Sequence, residues 1–176
     1  MSGHNKWSKI KNRKAVTDAR KSKIFTKMMR LLTVEAKKAK GDVNASGLKA
    51  VIEKAKSFNV PNDNIDRAVK KAQGDTGSAM EEIVYESYGP GGVAIIITVL
   101  TDNRNKAAAE VKHILSQNGS ALAAIGSATW AFTKSHEGWT PNTTVPLSDP
   151  DYEKLEKLVD ELEDNDEVQE VYTNAD

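Results

Sequence analysis

Over residues 18–74 apolar side chains recur every three or four positions. Ile24, Phe25, Met28, Leu31 and Leu32 follow that spacing, which puts them on one face of a helix. Lys21, Lys23, Lys27 and Arg30 crowd its other faces. Thr17 fits the N-cap position and Gly41 the C-terminal stop. Leu48, Val51, Ile52, Ala55 and Phe58 form a second stripe and predict a second helix. NVPNDN breaks it, because Pro61 lacks a donor and restricts the residues before it. Ile65, Ala68, Val69 and Ala72 predict a third helix that ends at Gly74. Three helices with short connections make a small helical domain.

The period changes after the linker GDTGSAM. EEIVYESYG alternates, GPGG is a turn, and VAIIITVLT is a continuous β-branched run. Such a run predicts a central strand buried on both faces. The helix RNKAAAEVKHILSQ follows, capped by Asp102 or Asn103 and ended at Asn118-Gly119. SATWAFTK reads as a third strand and SHEGWTPNTTVPL as irregular. DPDYEKLEKLVDELED, capped by Ser148 or Asp149, and the strand EVQEVYTN complete the chain. The order ββαβαβ predicts an α+β sandwich of the ferredoxin-like kind. Domains are expected at 1–78, basic and helical, and 79–176, acidic and α+β. The second face of the central strand needs a cover, either the helical domain or another molecule.

Charge sharpens that division. The net charge of the chain is zero. Yet residues 1–40 hold thirteen Lys or Arg against Asp18 and Glu35, while residues 81–176 hold six against eighteen Asp or Glu. A chain this asymmetric carries a basic arm for nucleic acid or membrane, balanced by an acidic portion. Five of the first fifteen residues are basic, none is acidic, and Trp7 sits among them. A solvated tail, a membrane-surface anchor and a polyanion-gripping arm are the candidates. Trp7 and Ile10 are nearly alone as apolar groups there, too few for an interfacial helix. Trp7 is also a stacking platform for a base, and the positive charge runs on into the first helix.

Other chemistry finds little footing. The chain has no cysteine, which excludes disulfides, thiol nucleophiles and thiolate metal sites and fits a reducing cytoplasm. No segment approaches the roughly 20 apolar residues of a membrane span. GPGG lacks the Gly-Lys-Ser/Thr of a phosphate loop and precedes a strand, so it reads as a hairpin turn. Glu110 and His113 stand three apart on a helix, but no second pair matches them, and no metal site is expected. The carboxylates of 149–170 read as a solvated face. No cofactor and no catalysis are expected.

Several stretches resemble one family. GHNKWSKIKNRKAVTDARKSKIFTK resembles the N-terminal signature of the YebC family of gene-expression regulators. NVPNDNIDRAVKKAQG, YESYGPGGVAIIITVLTDNRNKAAAEVKHIL and LEDNDEVQEVYTNA are similar to its later signatures. The resemblance implies a cytoplasmic or organellar protein with a basic helical domain and α/β domains. Bacterial members are described as transcriptional regulators that bind DNA. Relatives, a mitochondrial translational activator among them, act on messenger RNA or the ribosome, in part by relieving stalled translation. Members usually carry a further small α/β domain in the middle. Here FTKSHEGWTPNTTVPLSD runs straight past that place, so residues 135–147 are expected to be a surface connection.

The expectation is therefore a non-enzymatic nucleic-acid-binding regulator in the cytoplasm, acting on DNA, RNA or the ribosome. The residues expected to bind are Lys6, Lys9, Lys11, Arg13, Lys14, Arg20, Lys21, Lys23, Lys27 and Arg30, with Trp7 stacking or anchoring. The alternative is a protein-interaction module whose basic arm docks on an acidic partner.

Overall fold

In a computed structural model the chain divides into two units, one within residues 16–81 and one containing residues 82–176. The structure describes residues 18–74, 80–136 and 138–176. The arm, the Thr17 cap and most of the GDTGSAM linker lie outside the described residues.

The first unit consists of α1 (Asp18–Lys38), α2 (Ser46–Ser57) and α3 (Asn62–Gly74). Helix α1 packs against both of the others. Met28, Leu32 and Ala36 of α1 meet Leu48 and Ala55 of α2 and Ile65, Val69 and Ala72 of α3 in one core. These are the stripes that the spacing predicts. Gly41 ends the turn after α1 at φ 78°, a conformation that L side chains rarely adopt. Its N–H reaches the carbonyl of Ala36 at 2.9 Å. Asn59 ends α2 in the same left-handed region, at φ 60°. The Val60 N–H then donates to the Ala55 carbonyl at 3.0 Å, and Val60 is buried. This cap turns Val60 inward and leaves Phe58 outside, 48% exposed.

The second unit is built around β2 (Ala94–Thr101). β2 lies between β1 (Glu81–Tyr88) and β5 (Val168–Thr173). Ile95, Ile96 and Ile97 are all 0% exposed. The two sides of β2 have different covers. Val93, Ile95, Ile97 and Val99 pack on α4 (Arg104–Gln117) and α5 (Asp149–Asp164) through Val111, Leu115, Leu155, Leu158 and Leu162. Asn103 caps α4 by accepting the Lys106 N–H at 3.1 Å, and Ser148 caps α5. On the other side Ala94 and Ile96 meet Ala128, Ala131 and Phe132, with Val84, Trp139 and Tyr172 packed around them. Burial, then the charges of Glu170 and Glu82, pushes the Tyr172 hydroxyl up to about 12.

That second cover corrects four expectations. The third strand, β3 (Phe132–Ser135), does not join the main sheet. It pairs with β4 (Gly138–Pro141), which lies in the stretch read as irregular. The expected cover is the helical unit or another molecule; the cover observed on the second face of β2 is this hairpin with Ala128 and Ala131. Residues 135–147 are also more than a surface connection. Trp139 packs on the hairpin core, and Val145 and Leu147 pack on the helix-side core. Val145 is bonded to the C-terminal segment in both directions, from its N–H to Asn174 at 2.8 Å and to its carbonyl from Asp176 at 2.9 Å. Alternation alone could not reveal this, because a four-residue strand carries too little pattern.

A buried carboxylate fixes the approach to the hairpin. Glu86 on β1 is 4% exposed. Its Oε2 accepts the Gly126 N–H at 2.7 Å, and its Oε1 accepts those of Ala128 at 2.9 Å and Thr129 at 2.8 Å. Burial opposes its charge, but these backbone donors, with the Thr129 side chain, outweigh burial and hold the carboxyl below its ordinary value of 4.5. Ser87 adds a bond from its hydroxyl to the Ala121 carbonyl at 2.8 Å. Glu86 therefore contributes stability in full above pH 4.5, and the contribution disappears as pH falls through its lower folded value. Glu86→Gln removes acceptor capacity and should lower stability at pH 7 by about 2 kcal/mol. Urea denaturation at pH 7 and below pH 4 checks this: the gap between wild type and variant should close in acid.

Candidate nucleic-acid interface

The residues expected to bind separate into three groups. Lys6, Trp7, Lys9, Lys11, Arg13 and Lys14 lie outside the described residues. Arg20 belongs to the first turn of α1, and its side chain also lies outside them. Lys21 is exposed, whereas Lys23, Lys27 and Arg30 are half-buried, and all four already have interaction partners. α1 lies against both α2 and α3, so little of its circumference is left for solvent. Apolar spacing marks the buried face of such a helix, but it does not tell how far its neighbours wrap around it.

The outward basic face is built by the other two helices. Lys49, Lys54, Lys56, Arg67, Lys70 and Lys71 are exposed. None of the six is in an ion pair among the described residues. Arg67, Lys70 and Lys71 stand at i, i+3 and i+4, on one side of α3. Lys54 and Lys56 occupy the last turn of α2, where the helix dipole favours a cation. Exposed Phe58 follows directly at the end of that helix. Glu53, Asp63 and Asp66 are the acidic residues of the two helices, so the face is net positive. Spacing alone does not single these lysines out, because charges opposite an apolar stripe are the ordinary solvated face. The usable signal is the imbalance of six basic against three acidic residues.

The motifs weighed for other chemistry have structural uses. Glu110 accepts the Asn165 amide at 2.8 Å and lies 3.8 Å from Lys106, which is 3.7 Å from Glu167. This network ties α4 to the start of β5. Among the described residues no group of His, Cys, Asp or Glu is arranged to hold a metal ion. GPGG is the β1–β2 turn, closed by the Gly89 N–H on the Val93 carbonyl at 2.9 Å. No helix among the described residues is long and apolar enough to cross a membrane.

Comparison with known proteins places this geometry. The family model for the TACO1/YebC protein N-terminal domain matches residues 5–75. The model for the TACO1/YebC second and third domain matches residues 80–137 and 133–175. The chain belongs to the TACO1/YebC family. A probable transcriptional regulatory protein of Caldanaerobacter subterraneus subsp. tengcongensis is 38% identical over 238 aligned positions, covering 99% of this chain and 98% of that protein. Another, from Finegoldia magna, is 39% identical over 239 positions, covering 100% and 99%. The crystal structure of a conserved hypothetical protein from Aquifex aeolicus superposes with a TM-score of 0.81 at 27% identity, covering 93% of each chain. The alignments are far longer than the 176 residues of this chain. These relatives thus carry a stretch that this chain lacks. The second family model meets itself at residues 133–137, which places the gap at the β3–β4 hairpin.

Substitutions on an exposed basic face should leave the fold alone. Lys54, Lys56, Lys70 and Lys71 changed together to Ala should keep the stability of the helical unit within about 1 kcal/mol, since surface changes are small singly. Met28→Ala, in the core beneath, should cost about 3 kcal/mol. Urea midpoints of the two variants against wild type check the contrast.

Proposed function

We propose that this chain is a non-enzymatic, nucleic-acid-binding regulator of gene expression, in which the helical unit and the N-terminal arm grip phosphate. The observation that carries the proposal is the face of α2 and α3, with exposed Lys49, Lys54, Lys56, Arg67, Lys70 and Lys71 outside any ion pair among the described residues. Lysines and arginines of this kind neutralise phosphates and release condensed counterions, which supplies affinity without regard to sequence. Lys9, Lys11, Arg13 and Lys14 add charge from the arm. The name of the curated relatives, probable transcriptional regulatory protein, agrees with a role in gene expression.

Between nucleic acids, the helices favour RNA or the ribosome over the major groove of DNA. A recognition helix reads base edges with its N-terminal residues. α3 begins with Asn62, Asp63 and Asn64, and Asp66 follows one turn on, exposed like Asp63. Carboxylates there would face phosphates on both walls of the groove. The basic residues stand at the opposite end, as backbone contacts require. The stretch that the relatives carry beyond β3 is read as a middle α/β domain, dispensable for closing the fold because β3 and β4 pair directly across its place. The protein is assigned to the cytoplasm, where such partners are found.

Binding measured by anisotropy on labelled single-stranded RNA and duplex DNA, from 50 to 200 mM salt, tests the proposal, with co-sedimentation on purified ribosomes beside it. Lys9, Lys11, Arg13 and Lys14 changed together to Ala should weaken binding to both probes. They should also flatten the log–log salt slope on single strands by up to about 3, since each lost contact contributes about 0.7. The α2–α3 variant described above should behave alike. Wild-type protein that binds none of the three, or variants with unchanged affinity and slope, would overturn the proposal.

A further inference from the structure

We propose that Trp130, with Tyr88 and Ile125, forms a stacking site for one or two unpaired nucleobases on the α/β unit, a site that rests on the nucleic-acid reading above. Ile125 is 98% exposed and Trp130 62%, and Tyr88 is 37% exposed. A large apolar group in water needs a reason when the backbone beneath it is fixed. Here the backbone is fixed from below by Glu86, which holds the N–H groups of Gly126, Ala128 and Thr129. Ile125 and Trp130 flank those three residues, so they are held outward on a rigid base.

The polar atoms of the two rings are already used. The Trp130 indole N–H donates to the Tyr88 hydroxyl at 2.9 Å, and that hydroxyl donates to the Ser127 carbonyl. What the rings still offer is their faces, in a fixed orientation. A fixed aromatic face is what a splayed-out base needs, and every base has a π-face to lay on it.

Charge selects the same place. The unit is strongly acidic, and a polyanion can approach it only where carboxylates are missing. No residue from Ile114 to Thr133 is ionisable, and none from Gly138 to Ser148. The two uncharged stretches are joined by the Asn142 N–H on the Ala131 carbonyl at 2.8 Å. Glu86 underneath is buried, with its charge met by backbone donors. Size decides against a protein partner. A stable protein interface buries about 800 Å² on each side, whereas among the described residues of this unit these three are the exposed large apolar ones. They suit a ligand no larger than one or two bases. Phosphate affinity comes from the lysines and arginines elsewhere in the chain.

Anisotropy with single-stranded RNA and with duplex RNA tests the site in the full-length chain. Trp130→Ala should weaken single-strand binding about tenfold, the size of one lost stacking contact. Duplex binding and the salt slope should hold, because stacking releases few counterions. Trp130→Phe keeps a ring and should retain most of the affinity. Ile125→Ser, at a position that supports nothing in the fold, should weaken single-strand binding several-fold. If wild-type protein binds no RNA, the proposed function falls and this site with it. If wild type binds and Trp130→Ala and Ile125→Ser bind equally well, the stacking site alone is overturned. Equal losses on single strand and duplex would likewise overturn it, and so would a loss confined to binding a protein.

Discussion

A strand that is apolar on both faces cannot stand with one side open, and β2 imposes that constraint on the second unit. Ile95, Ile96 and Ile97 point alternately to opposite sides and all are fully buried. At about 25 cal/mol per Å² of apolar surface, uncovering either side would cost several kcal/mol, a large share of a domain's stability. One side is met by α4 and α5. The other is met by a short hairpin and the loop leading into it. Glu86 is the means of holding that loop: one carboxylate satisfies three of its backbone donors, among them the buried N–H of Ala128. Removing the charge therefore acts on the second cover of β2 and not on Glu86 alone.

In the helical unit the constraint is geometric. Three helices of 21, 12 and 13 residues cannot all present a broad outer face. The longest is flanked by both others and gives up its circumference to packing. Lys23, Lys27 and Arg30 on it are half-buried and engaged, while the shorter helices carry exposed lysines outside any ion pair among the described residues. The positive potential offered to a partner is therefore set by Lys54, Lys56, Arg67, Lys70 and Lys71 more than by the denser cluster on α1.

Helical stripes, the caps to within one residue (Asp102 or Asn103, Ser148 or Asp149), the GPGG turn and the central position of β2 were all legible, because each depends on near neighbours in sequence. The pairing of β3 was not. Phe132 alternates with polar residues as any edge strand does, and nothing local says whether its partner is β1 or a strand six residues on. β4 is four residues long and opens on Gly138, whose φ of 123° no strand propensity would suggest. The basic character of the helical unit was legible as charge, but the placement of its exposed lysines was not. The exposure of Lys70 follows from its stripe, while the partial burial of Lys27 depends on how far neighbours wrap around α1. Trp130 was legible only as a strand residue. Its exposure comes from a 3₁₀ turn at Thr129–Ala131, whose first residue is held by a carboxylate 43 positions earlier in the chain.

The two units carry charge of opposite sign, and under the proposed function that opposition would give the chain its selectivity. On that proposal the helical unit would collect phosphate from any nucleic acid, because backbone contacts carry no sequence information. The acidic unit would repel nucleic acid over most of its surface, a like-charge repulsion that weakens beyond a Debye length of about 8 Å. A duplex is stiff and keeps its bases stacked, so it gains nothing from an uncharged aromatic face and loses by approaching carboxylates. An unpaired strand can bend, keep its phosphates away and present a base. Acidity around an uncharged patch therefore discriminates by shape of the ligand, where more lysine would only have raised affinity for everything.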